Sequence, residues 1–136
     1  MDEEELKRRT KQFALRVMKL ADALPNKPAA WTIRKQLVDA GTSVGANYRS
    51  ACRARSYAEF VAKLGIVIEE ADETAFWLEL NIESGLMKKP LVTPLHGEAN
   101  EIVAILVAAR TSCLRRATVN GRNSKTVPSV RSNPKS

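Results

Sequence analysis

The sequence predicts an all-α protein, an antiparallel up-down-up-down four-helix bundle. Three observations carry that expectation. Apolar residues recur with the 3.6-residue period of a helix over most of residues 4–116. Helix formers such as Ala, Leu, Glu and Lys are abundant, while aromatic residues make up only 5% of the chain, which disfavours a sheet core. The prolines and glycines fall mainly between the periodic segments or in the last nineteen residues, leaving short connections.

The first helix is expected from about Glu4 to Leu24, with Leu6, Phe13, Val17, Leu20 and Leu24 as its apolar line. Pro25-Asn26-Lys27-Pro28 ends it, and Pro28 suits the first turn of the next helix, where a missing N–H is no loss. The second helix should reach about Arg53 through Ile33, Leu37, Ala40, Val44, Tyr48 and Ala51. Ser56-Tyr57-Ala58-Glu59 has capping-box spacing and should start the third helix, which runs to about Leu86. Lys88-Lys89-Pro90 is read as a break, and Thr93-Pro94 as the cap and first-turn proline of a fourth helix ending near Arg116. The bundle is therefore placed at residues 1–117. Residues 118–136, rich in Ser, Asn, Pro and bases, are expected to be a disordered basic tail.

At 136 residues the chain is one domain. No uninterrupted apolar run approaches the roughly 18–20 residues of a membrane span. The acidic opening Asp2-Glu3-Glu4-Glu5 is unlike a signal peptide. Cys52 and Cys113 are too far apart for a metal knuckle or a disulfide framework. These features lead to the expectation of a cytoplasmic protein with no cofactor, no metal and no membrane partner.

The net charge of +7 is unevenly placed. Residues 118–136 hold Arg122, Lys125, Arg131 and Lys135 and no acid. Between Lys27 and Arg55 there are six bases against the single acid Asp39, whereas Glu59 to Lys89 holds seven acids against three bases. Such a reversal suits pairing within the bundle or between subunits, and leaves a basic face for a polyanion. Lys35, Arg49 and Arg53 fall on one stripe opposite the apolar line of the second helix, with Arg34 and Arg55 near its edges. These five are the candidate nucleic-acid contacts, and phosphate contacts of this kind give affinity without sequence choice. The alternative is an ordinary solvated face.

Gly41 and Gly45 lie inside a regular helical repeat, where each glycine costs about 0.8–1 kcal/mol relative to alanine. They are expected to mark a close helix–helix or subunit contact, flanked by Asn47 in a structural role. The third and fourth helices carry more apolar surface than one small bundle covers. Phe76, Trp77 and Leu80, with Ile102, Ile105 and Leu106, are the candidate subunit interface.

The acidic residues offer one enzymatic alternative. Glu69-Glu70-Ala71-Asp72-Glu73 with Glu98 and Glu101 resembles the acidic sets with which all-α nucleotide pyrophosphohydrolases hold Mg²⁺. Against it, most acidic helix clusters are solvated faces. His96 is the only histidine, which excludes a di-iron site built from two Glu-x-x-His pairs. No residue is assigned a catalytic role.

Several landmarks resemble the four-helix-bundle family encoded by intervening sequences in bacterial 23S ribosomal RNA genes, the S23-type proteins. They are Gln36-Leu37, the run Ala40-Gly41-Thr42-Ser43-Val44-Gly45-Ala46-Asn47, Ser56 with Glu59-Phe60, and Glu70 to Leu80 with Trp77-Leu78-Glu79-Leu80. The resemblance implies a bundle that assembles as a ring, typically a homopentamer, with no known catalysis. A related branch comprises the accessory proteins of diversity-generating retroelements, whose basic surface binds nucleic acid and a reverse transcriptase. Many members carry Ala-Glu-Gly after the asparagine, where this chain reads Tyr48-Arg49-Ser50 and is more basic. The expected function is thus a non-enzymatic oligomer that binds RNA or DNA electrostatically. The alternative is an assembly scaffold for a protein partner.

Overall fold

The Asp2 carboxylate accepts a hydrogen bond from the Glu5 N–H at 2.8 Å and opens the first helix, α1 (Glu3–Asp22). Three glutamates in its first turn complement the positive end of the helix dipole. In the computed structural model, which describes the backbone of residues 1–123 and side chains through residue 116, three more helices follow: α2 (Pro28–Cys52), α3 (Tyr57–Ser84) and α4 (Lys89–Asn123). No strand occurs among the described residues. The Ser56 hydroxyl caps α3 by accepting from the Glu59 N–H at 3.1 Å. Gly85, at φ +72°, ends α3 in the left-handed region, where a side chain is strained.

The fourth helix starts before its expected cap. Pro90 sits in its first turn, where its missing N–H costs nothing, so Lys88-Lys89-Pro90 opens the helix. Thr93 lies inside the helix and donates its hydroxyl to the Lys89 carbonyl at 2.9 Å. Pro94 deprives the Pro90 carbonyl of its helical donor, and both prolines are exposed, so water can satisfy that oxygen. At the other end α4 runs to Asn123, past the expected boundary at 117, and the remainder of the expected tail lies outside the described residues.

Each helix turns one apolar line inward. Phe13 and Val17 of α1, Leu37, Val44 and Tyr48 of α2, Leu64, Val67 and Leu78 of α3, and Val92, Ile102 and Leu106 of α4 are almost wholly buried. Helix α4 is long and apolar enough by length and composition alone to cross a membrane, unlike the reading from uninterrupted runs. Part of its apolar content is spent on the bundle core, as Val92, Leu95, Ala99, Ile102, Leu106 and Cys113 show.

Helices adjacent in sequence are adjacent in space. Helix α2 packs on α1 and α3, α3 packs on α4, and the α1–α4 seam is the lightest contact, while the backbones of the diagonal pairs stay apart. Arg9 bridges that seam. Its Nε and Nη2 donate to the two oxygens of Glu98 at 2.7 and 2.8 Å, and Nη2 lies 2.8 Å from Glu101 Oε1. This two-point arrangement fixes direction as well as distance.

The α1–α2 contact explains the glycine pair. A Cβ on Gly41 would lie 2.7 Å from Cγ1 of Val17, and one on Gly45 would lie 3.3 Å from the Thr10 carbonyl oxygen. At Gly45 the α2 backbone thus faces the α1 backbone directly, and at Gly41 the Val17 side chain takes the space a Cβ would need.

Candidate nucleic-acid interface

The close α1–α2 approach brings Lys7 and Lys11 of α1 beside Arg49 of α2. Together with Ala14, Thr42, Gly45 and Ala46 they line a depression of about 310 Å³. On the other side of α2 a wider, open cleft of about 580 Å³ is lined by Ala46, Arg49, Ser50, Arg53, Arg55, Glu59 and Lys63. The two hollows share Ala46 and Arg49, so they form one basic band across α1, α2 and the start of α3. Helical spacing puts Arg49 and Arg53 one turn apart on the exposed side, and the short α2–α3 connection adds Arg55.

The cations of this band fall into two groups. Lys7 is paired with Glu3 and Glu4, each at 3.4 Å. Lys63 donates to the Ser50 hydroxyl at 2.7 Å and lies 3.5 Å from Glu59. Lys11, Arg49, Arg53 and Arg55 are exposed and form no ion pair among the described residues. No aromatic ring lines either hollow. Tyr48 is 2% exposed and burial pushes its phenol well above the ordinary value, so it is a core residue rather than a stacking platform.

The structure splits the expected basic set. Arg49, Arg53 and Arg55 come together, but Arg34 does not join them. Its guanidinium donates to the carbonyls of Ala21 at 3.1 Å and Leu24 at 2.9 Å, capping the carboxyl end of α1. Lys35 is also apart. It lies fourteen residues before Arg49, about 21 Å along a helix rising 1.5 Å per residue. Asp39 holds it at 2.8 Å, and this hydrogen bond raises the lysine's pKa. Sequence reasoning passed over Lys7, Lys11 and Lys63. The 7, 11, 14 spacing on α1 put two bases beside a small residue, and Lys63 sits one turn after Glu59, so a signal existed for each.

Asn47 is half-buried and takes part in none of the side-chain hydrogen bonds found among the described residues. Of the expected subunit-interface residues, Ile102 and Leu106 belong to the chain's own core, each 0% exposed. The physical reason is that α4 turns this side toward the bundle axis. Phe76 stays 49% exposed, its ring edge-on to Trp77 at 5.1 Å, while Trp77, Leu80 and Ile105 are half-buried. Ile66, Val107 and Leu114 add exposed apolar surface on α3 and α4.

The acids proposed for Mg²⁺ serve different neighbours. Hydrogen bonding from Arg9 holds the Glu98 carboxyl below its ordinary range, with Glu101 on the same guanidinium. Burial pushes Glu70 up, reinforced by Glu73 and Glu69 and opposed by the Ser43 hydroxyl of α2. No three His, Cys, Asp or Glu side chains come together to hold a metal among the described residues. His96 faces Glu79 across the α3–α4 contact at 3.0 Å.

The family model for the 23S rRNA-intervening sequence protein matches residues 3–108, which include all of α1, α2 and α3 and both basic hollows. The chain belongs to that family. A solved member of the S23 ribosomal protein family from Bacteroides thetaiotaomicron, described as a protein with unknown function, is 33% identical to it. The match has a TM-score of 0.76 and covers 82% of this chain and 99% of that one. No curated protein matches the chain. Family membership thus carries the four-helix architecture, and the solved relative brings no assigned activity with it.

Proposed function

We propose that this family member is a non-enzymatic, oligomeric scaffold that binds the phosphate backbone of RNA or DNA through the band formed by Lys11, Arg49, Arg53 and Arg55. The observation that carries the reading is the convergence of these four cations, unpaired among the described residues, from two helices and a loop onto adjoining hollows. Exposed cations without a carboxylate partner exchange small counterions for phosphates, so their contribution appears as salt-dependent affinity. The lack of an aromatic platform supports backbone contact over base stacking. No base-reading motif is present, so binding is tolerant of sequence. The bases of residues 118–136 add positive charge to the same polyanion.

Oligomerisation serves this function by repeating a weak site. The half-exposed Ile66 and Phe76 support it, because apolar surface of this kind is normally covered. The family resemblance suggests five copies. Several bands on one assembly would add through effective concentration, without any contact becoming stronger. A reverse transcriptase fits the same reading as a protein partner recruited alongside the nucleic acid.

The test compares wild type with Arg49→Ala/Arg53→Ala/Arg55→Ala and with Lys35→Ala, titrated with two RNAs of unrelated sequence. Wild type and Lys35→Ala should bind both alike, and the triple variant should bind neither well while keeping its mass by light scattering. Equal affinity of the intact triple variant would move the site elsewhere. Absence of binding by wild type at low salt would leave the protein-partner scaffold as the better reading.

A further inference from the structure

Helices α1 and α3 occupy diagonal positions in the bundle, and their backbones do not approach each other. Away from their opening turns and the last residue of α1, their charges are opposite and unmixed. Residues 7–19 of α1 contain six bases and no acid, whereas residues 64–84 of α3 contain six acids and no base. The bundle neutralises only part of each set. On α1, Lys7 and Arg9 have carboxylate partners, but Arg8, Lys11, Arg16 and Lys19 form no ion pair among the described residues. On α3, Glu79 faces His96, while Glu69, Asp72, Glu73 and Glu83 are exposed and likewise unpaired.

Both faces also carry apolar groups that their own chain leaves open. Helix α3 presents Ile66 and Phe76 at 47% and 49% exposure, at helical spacing with Glu69, Glu73 and Glu83. Beside α1, the light α1–α4 seam opens into a groove of about 410 Å³. Leu20, Ala23, Met87, Leu91 and Leu95 form its apolar part, and Arg16 and Lys19 also line it. Leu91 is 62% exposed there. One face is acidic with projecting apolar side chains, and the other is basic with an apolar recess.

From this complementarity we infer that the occupant of the α1–α4 groove is the α3 face of a second copy, docked head-to-tail with Phe76 toward the recess and Glu69 and Glu73 toward Arg16 and Lys19. This inference rests on the oligomeric reading above and specifies its contact. A contact between two different faces is heterologous. It leaves the pair with one open face of each kind, the groove on one copy and the α3 face on the other, and so closes into a ring or extends as a filament. Two α3 faces would not pair with each other, because like charges would be juxtaposed at several positions.

The experiment measures mass by light scattering across a protein dilution series for four chains: wild type, Arg16→Glu/Lys19→Glu, Glu69→Lys/Glu73→Lys, and the chain carrying all four reversals. Circular dichroism checks the fold of each. The wild type is expected to be an oligomer. Each paired reversal should weaken assembly by at least roughly tenfold, since like charges then meet across the contact. The fourfold variant should regain assembly because opposite charges face each other again, and loss of folding could not produce that recovery. Paired reversals that leave the mass unchanged would overturn the head-to-tail contact while sparing the oligomer. Failure of the fourfold variant to recover would overturn it too. A monomeric wild type would overturn the oligomeric reading itself.

Discussion

Adding one methyl group at Gly41 sets two known effects against each other. In a helix interior, Gly→Ala is worth about 0.8–1 kcal/mol in favour of folding. Here the new Cβ would lie 2.7 and 2.8 Å from the two Cγ atoms of Val17 and 3.0 Å from its Cβ. Val17 is 0% exposed and β-branched, and such a residue has essentially one rotamer in a helix, so it cannot swing aside. Relief requires α1 to shift away from α2, and overpacking of this kind costs about 1–3 kcal/mol. At distances this short we take the upper half of that range, which leaves Gly41→Ala net destabilising by about 1–2 kcal/mol. Gly97 is the internal control. Its Cβ would meet nothing within 4 Å, so Gly97→Ala should stabilise by about 0.8–1 kcal/mol. The assay is urea denaturation of both variants at one protein concentration, because assembly links apparent stability to concentration. A Val17→Ala/Gly41→Ala chain adds a second check, since it should lose less than the sum of its single changes. Stabilisation by Gly41→Ala equal to that by Gly97→Ala would refute the close-contact reasoning.

Other outcomes follow from the same geometry. Arg9 lowers the pKa of Glu98, so the unfolded chain holds this proton at pH values where the folded one does not. The stability from this pair is therefore present above the ordinary glutamate pKa and lost as pH falls through the lower folded value. Denaturation midpoints measured from pH 7 downward should show this loss in wild type, and Arg9→Met should flatten that part of the profile. Arg34→Ala should cost about 1.5–3 kcal/mol by removing charge-assisted hydrogen bonds to the end of α1, without changing RNA affinity. A fall in affinity with unchanged stability would return Arg34 to the interface.

Helix number, order and most boundaries are legible because apolar period, caps and breakers agree with one another along the chain. Ser56 shows this well, since a four-residue pattern identifies the cap that forms. The start of α4 shows where such reading fails. Lys89-Pro90 and Thr93-Pro94 both fit a helix start, and the choice depends on the burial of Val92 and Leu95 beneath the earlier turn. Ile102 and Leu106 fail for a related reason. A residue facing its own core and one facing a neighbouring subunit are both apolar, and only packing against the other helices tells them apart. Arg49, Arg53 and Arg55 are legible as a local cluster. Lys7 and Lys11 join them through the contact at Gly45, a relation between helices that spacing within one helix does not contain. Arg34 is withdrawn from the basic set by carbonyls whose position depends on the turn after α1.

The central claim is electrostatic binding through the band around Arg49, and the salt dependence of RNA binding tests it most directly. Affinity measured at several salt concentrations should fall linearly on a log–log plot. Loss of three phosphate contacts in Arg49→Ala/Arg53→Ala/Arg55→Ala should make the slope shallower by about 2–3 units, at roughly 0.7–0.9 per contact. A triple variant that keeps its mass and shows the wild-type slope would contradict the account.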